Sequence, residues 1–104
     1  MKGTRAALRY AKATLSFAQD NKAAEIVAKD MRQLEALLNE NATLHSALDN
    51  PLLPVEKKHA VVTALLPNAC ESTTKLFSLL GENNRLSLLP ATCEQYLSLF
   101  AKAQ

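Results

Sequence analysis

His45 and His59, Cys70 and Cys93, the serines and ten carboxylates are the side chains from which acid–base, nucleophilic or metal chemistry would have to be built in this chain of 104 residues. Their spacing assembles none of it. The two histidines read as isolated surface residues, without carboxylate or cysteine neighbours at ligand spacing. Ser16, Ser46, Ser72, Ser78, Ser87 and Ser98 fall in helical or capping contexts with no nucleophile elbow, and Gly3 and Gly81 cannot make a phosphate loop. The carboxylates are spread as solvated helix faces are, so no acid–base pair stands out. Two cysteines are too few for a zinc motif. In an antiparallel hairpin turning near residues 84–87, Cys70 falls roughly 13 Å beyond the level of Cys93 at about 1.5 Å per residue. That exceeds disulfide reach, so two free, buried thiols of a reducing compartment are expected. The residues predict no enzyme, no metal and no cofactor.

The elements that would position a site are helices. Hydrophobic residues make up 48% of the chain, and two glycines with four prolines leave little room for the turns of an all-β protein. A compact, all-α bundle of six helices is expected, forming one domain over residues 1–104. The first helix runs from about Thr4 to Gln19 and the second from about Lys22 to Asn39, with Ala23, Val27, Met31, Leu34 and Leu38 inward. A short third, ATLHSALD, ends before Asn50-Pro51. Pro54 opens the fourth, with Val55, Val62, Leu65 and Leu66 inward, and Pro67 closes it. Asn68 and Glu71 form a capping box for the fifth, which runs to about Asn83. Ser87 caps the sixth, whose stripe is Leu89, Cys93, Tyr96, Leu97 and Phe100.

Two of these helices carry more apolar surface than one core needs. On the first, Leu8, Ala11, Leu15 and Ala18 make one stripe, while Ala6, Tyr10, Ala13 and Phe17 make another more than about 100° away on the helical wheel. On the fifth, Glu71, Lys75, Ser78 and Glu82 make the polar strip, and Cys70, Thr73, Thr74, Leu76, Phe77, Leu79, Leu80 and Gly81 share the rest of the circumference. Either both helices are central and enclosed, or they face each other across an exposed groove that receives an amphipathic helix. Ala6, Ala13 and Gly81 would then let the incoming backbone approach closely. A glycine costing about 1 kcal/mol inside a helix would have its reason there.

Net charge is +2, too near balance for nucleic acid or anionic lipid as a general partner. Lys2, Arg5, Arg9 and Lys12 precede the first acid, Asp20, which keeps open a second reading: a small nucleic-acid-binding or regulatory domain working through a basic first helix. No apolar run approaches the roughly 20 residues that span a bilayer.

At RYAKATLSFAQ, NPLLPVEKKHAVVTALL and LFSLLGENNRLSLLP the chain resembles the N-terminal domain of the delta subunit of F-type ATP synthases, equivalent to the mitochondrial oligomycin-sensitivity-conferring protein. The resemblance covers essentially the whole chain. It implies a six-helix bundle of the peripheral stalk, capping the catalytic head and binding the amphipathic N-terminal helix of an alpha subunit between the first and fifth helices. Carried over, the groove would use Ala6, Tyr10, Ala13, Thr14 and Phe17 on the first helix. Leu76, Phe77, Leu79, Leu80 and Gly81 are its candidates on the fifth, with Arg5, Arg9 and Lys12 as a basic rim. The family often has alanine where Gly81 stands and glycine where Asn84 stands. Asparagine suits a left-handed helix terminus next best. The family's C-terminal region, which meets the b-type stalk subunits, would lie beyond AKAQ. A methionine start without a transit peptide suggests a bacterial protein, peripheral on the cytoplasmic face of the inner membrane.

Overall fold

Runs of good helix formers, punctuated by asparagine, proline and polar turns, become six α-helices in the computed structural model, which describes residues 4–103. Lys2, counted above with the basic start, lies outside them. The helices are α1 (Thr4–Asp20), α2 (Ala24–Glu40), α3 (Ala42–Asp49), α4 (Val55–Leu65), α5 (Glu71–Glu82) and α6 (Leu89–Ala103), with a 3₁₀ turn at Leu86–Leu88. Among the described residues there is no strand, as the composition predicts.

α6 is the central helix. It packs along α1 on one side and α2 on the other, while α5 is held between α1 and α4. Leu89, Thr92, Cys93 and Tyr96 of α6 are wholly buried, together with Val27, Met31 and Leu34 of α2 and Leu80 of α5. Tyr96 stacks on Phe100 with ring centroids 6.3 Å apart, and its hydroxyl donates to the Ala24 carbonyl at 2.8 Å. Large buried side chains of this kind contribute about 1.5–3 kcal/mol each. The alternative in which α1 and α5 are the enclosed centre is therefore corrected for α1: Ala7, Ala11, Thr14, Leu15 and Ala18 are buried, Leu8, expected inward, is half-buried, and Tyr10 is half-buried against the core.

Where helices stop, the backbone explains it. α5 ends with Asn84 at φ 55°, the Arg85 amide donating to the Leu80 carbonyl at 2.7 Å and the Asn84 amide to the Gly81 carbonyl at 3.0 Å. These two bonds are the Schellman closure, and asparagine takes its left-handed position. α1 ends the same way with Lys22 at φ 56°, Ala23 donating to Ala18 at 2.7 Å. Nothing in a lysine announces that conformation.

Two expected caps are corrected. Asn68 does not cap α5; the helix begins at Glu71 with Cys70 in the cap position and no cap from its own segment. The orphan amide is satisfied from α2 instead, where a buried Asp30 Oδ2 accepts from the Cys70 amide at 3.1 Å and from the Thr73 hydroxyl at 2.7 Å. A residue 40 positions away has taken the capping role. Ser87 lies inside the 3₁₀ turn, and α6 starts two residues later with Pro90 in its first turn.

The remaining chemistry-bearing residues are also placed. Both cysteines are free, Cys93 buried as expected and Cys70 only half-buried. His45 is less isolated than its sequence neighbours suggested: its Nδ1 stands 3.7 Å from Asp49 Oδ2, one turn along α3. His59 is half-buried, its ring edge near Gly81.

Candidate functional site

The second apolar stripe of α1 is only partly covered by the bundle. Tyr10 and Phe17 are half-buried and Ala13 is exposed, while Thr14, beside them, is buried and donates its hydroxyl to the Tyr10 carbonyl at 2.8 Å. Across from this stripe lies the edge of α5 that carries Ser72, Lys75, Leu76 and Leu79. Leu79 is 37% exposed, a large apolar side chain left in solvent on the helix that borders the stripe.

Between the two helices runs a groove with two compartments. The narrow one, about 80 Å³, is lined by Ala13, Thr14 and Phe17 of α1 and by Lys75, Leu76 and Leu79 of α5, with Ser72 at its end. Its walls are almost all carbon. The wider one, about 450 Å³, lies toward the other end, between Arg9, Tyr10, Asn83 and Arg85. Ala13 and Leu79 line both, so the two are continuous.

Two polar side chains reach across. The Asn83 amide donates to the Tyr10 hydroxyl at 3.0 Å, tying the end of α5 to α1. The Lys75 ammonium sits 4.2 Å above the centre of the Phe17 ring, a cation–π contact that partly roofs the narrow compartment. An exposed cation–π pair is worth about 0.5–1 kcal/mol, little enough for an incoming apolar face to displace.

The sequence-derived candidates divide four ways. Tyr10, Ala13, Thr14, Phe17, Leu76 and Leu79 come together along the groove. Phe77 and Leu80 are core residues, 1% and 0% exposed, and Ala6 is half-buried on the stripe one turn before Tyr10 without lining either compartment. Gly81 points elsewhere. A Cβ built on it would meet His59 Cδ2 at 3.5 Å, Val55 Cγ1 at 3.8 Å and Leu86 Cδ1 at 3.9 Å, all on the α4 side. The reason is angular: two residues along a helix is about 160° around it, so Gly81 and Leu79 look in nearly opposite directions.

Sequence reasoning missed Ser72, Asn83 and Arg85, and placed Lys75 on the solvent strip. Lys75 lies about 40° from Leu79 on the wheel, close enough for its long side chain to bend over the groove. Asn83 stands one helical turn on from Leu79, on the same face, but reads as a stop signal; Arg85 has no periodic signal, because it lies past the Schellman closure. Of the proposed basic rim, Arg9 lines the groove; Arg5 and Lys12 are exposed without lining either compartment.

A small helical bundle with a groove between two helices, apolar at one end and bordered by arginines at the other, is the class of domain that this geometry defines. The family model for the ATP synthase delta (OSCP) subunit matches residues 6–104. Similar proteins include the ATP synthase subunit delta of Flavobacterium psychrophilum, 39% identical over 100 residues that cover 96% of this chain and 56% of that protein. That of Nostoc sp. is 35% identical over 96 residues, 92% of this chain and 52% of its own length. The chloroplastic ATP synthase delta chain of Chlamydomonas reinhardtii is 34% identical over 95 residues, 89% of this chain and 43% of that one. The chain belongs to the ATP synthase delta (OSCP) subunit family. It spans about half the length of the relatives it matches. Among the described residues no helix is long and apolar enough to cross a membrane.

Proposed function

We propose that this domain is the part of a peripheral stalk that grips the catalytic head of an F-type ATP synthase, receiving the amphipathic N-terminal helix of an alpha subunit in the groove between α1 and α5. The observation that carries the reading is the partly covered stripe of α1, with Tyr10 and Phe17 half-buried and Ala13 exposed, set beside an exposed Leu79 on the facing edge of α5. A docked helix would bury that stripe, and its affinity would come mainly from apolar contact. Small side chains such as Ala13 let its backbone approach. The contact performs no chemistry; it resists torque, holding the head still while the rotor turns. The domain would then sit peripherally, on the cytoplasmic face of a bacterial inner membrane, with the b-type stalk subunits met by sequence outside this chain.

Ala13→Asp tests the reading. Ala13 is exposed in the free domain, so the variant still folds, losing only the helix propensity of alanine over aspartate, about 0.7 kcal/mol or less. A docked helix would trap the new carboxylate against carbon without a partner, weakening binding of the cognate alpha N-terminal peptide by tenfold or more, on the order of 2 kcal/mol. Undiminished peptide affinity would exclude the groove as the docking site. Salt-sensitive binding of generic DNA with no peptide binding would favour the reading through a basic first helix instead.

A further inference from the structure

The wider compartment has a chemistry that apolar docking does not use. Arg9 comes from α1 and Arg85 from the connection after α5, and both line the same 450 Å³ pocket. Neither forms an ion pair with another described residue. Glu82, the acid nearest to Arg85 in sequence, lines the cleft between α4 and α5 instead. Arg85 is also well placed by its backbone: its amide is the donor of the 2.7 Å bond to Leu80 that closes α5, so the residue starts from a fixed point. Asn83 is anchored to Tyr10 beside it. The result is two arginines, brought by two elements to the same compartment and without an ion-pair partner among the described residues, at one end of a groove whose other end is mostly carbon.

Resting on the helix-docking reading, we infer that Arg9 and Arg85 form a carboxylate receptor that sets the register of the docked helix, by requiring an aspartate or glutamate at a fixed distance from its apolar anchor. Continuity of the two compartments through Ala13 and Leu79 argues for an anion carried on an amphipathic helix, since whatever fills the basic end also covers the apolar one. The spacing follows from α1 itself. Arg9 and Phe17 are eight residues apart, about 12 Å along the axis, so the acid stands about two turns, or seven residues, from the side chain that enters the Phe17 slot. Arginine suits the role because its fork holds a carboxylate through two parallel bonds.

Calorimetric titration with the N-terminal peptide of the cognate alpha subunit, and with variants in which each acidic residue is singly replaced by arginine, tests this. Arg85→Glu and Arg9→Glu each weaken the parent peptide about fivefold or more, with urea midpoints unchanged. One charge-reversed peptide, its acid about two turns from the apolar anchor, recovers affinity for the Arg85→Glu domain and loses it for the unsubstituted one. Parent-like binding by both domain variants, or recovery by none of the reversed peptides, overturns the receptor while leaving groove docking in place. Failure of the unsubstituted domain to bind any peptide overturns both.

Discussion

At the scale of the residue, Gly81 illustrates how placement changes meaning. It sits in a helix, faces α4, and has room for a methyl group at ordinary van der Waals distance from His59, Val55 and Leu86. Gly81→Ala is therefore expected to raise stability by about 0.5–1 kcal/mol through helix propensity and a less flexible unfolded chain. A rise in urea midpoint with unchanged peptide affinity would bear this out; a lowered midpoint would show that the α4 side has no room to spare. Cys93 and Tyr96 make a second residue-level prediction. Burial, with a smaller contribution from Glu35, pushes the Cys93 thiol up from its ordinary 9.0 to about 12. Burial, and then the charge on a Cys70 thiolate, pushes Tyr96 from 10.0 to about 12. Both groups hold their protons more tightly folded than unfolded. Their contribution is complete below about pH 9 and is lost as pH rises towards 12. Stability measured by denaturant titration should fall steadily across that window, and the alanine variant of Cys93 should show a shallower fall. A flat profile would mean that neither group is sealed from water.

At the scale of the element, helix identity was legible and helix termination was only partly so. Periodicity and punctuation located all six helices to within a few residues, most clearly where a helix buries a stripe: Val27, Met31, Leu34 and Leu38 on α2, and Leu89, Cys93, Tyr96 and Phe100 on α6. Asn84 was also readable as a stop, since asparagine is a familiar left-handed residue. The start of α5 was not. Its local signal, Asn68 followed by Glu71, lost to an aspartate on α2 that only the tertiary fold brings near. That cap joins α2 to α5, so Asp30→Ala is expected to cost about 2–3 kcal/mol, leaving the Cys70 amide and the fully buried Thr73 hydroxyl without their acceptor. Hydrogen exchange should accelerate first at the beginning of α5. Unchanged stability would mean that Asn68 or water takes over the cap. The groove was legible to a similar degree: the excess apolar stripe on α1 could be read from a wheel, but the sides of α5 could not be assigned, which is why Phe77, Leu80 and Gly81 stood among the candidates beside Leu79.

At the scale of the whole molecule, the bundle divides its work between its faces. α6 packs along both α1 and α2 and supplies rigidity; α1 and α5 meet the core on one side and leave a continuous channel on the other. The proposed role of resisting torque would benefit from this arrangement, because the groove walls are helices braced by a packed core and would change shape little on binding. The groove is also preformed, tied at Tyr10–Asn83 and roofed at Phe17–Lys75, so docking requires displacement of small contacts and no refolding. The central claim is that one amphipathic helix fills this channel. Its most direct test is a titration of the isotopically labelled domain with the cognate alpha N-terminal peptide, followed by amide and methyl NMR. The account predicts saturable shifts running along Tyr10, Ala13, Phe17, Leu76 and Leu79 and ending at Arg85, with α2 and α3 unmoved. Shifts centred on the α4 side around His59 and Gly81, or none at saturating peptide, would contradict it.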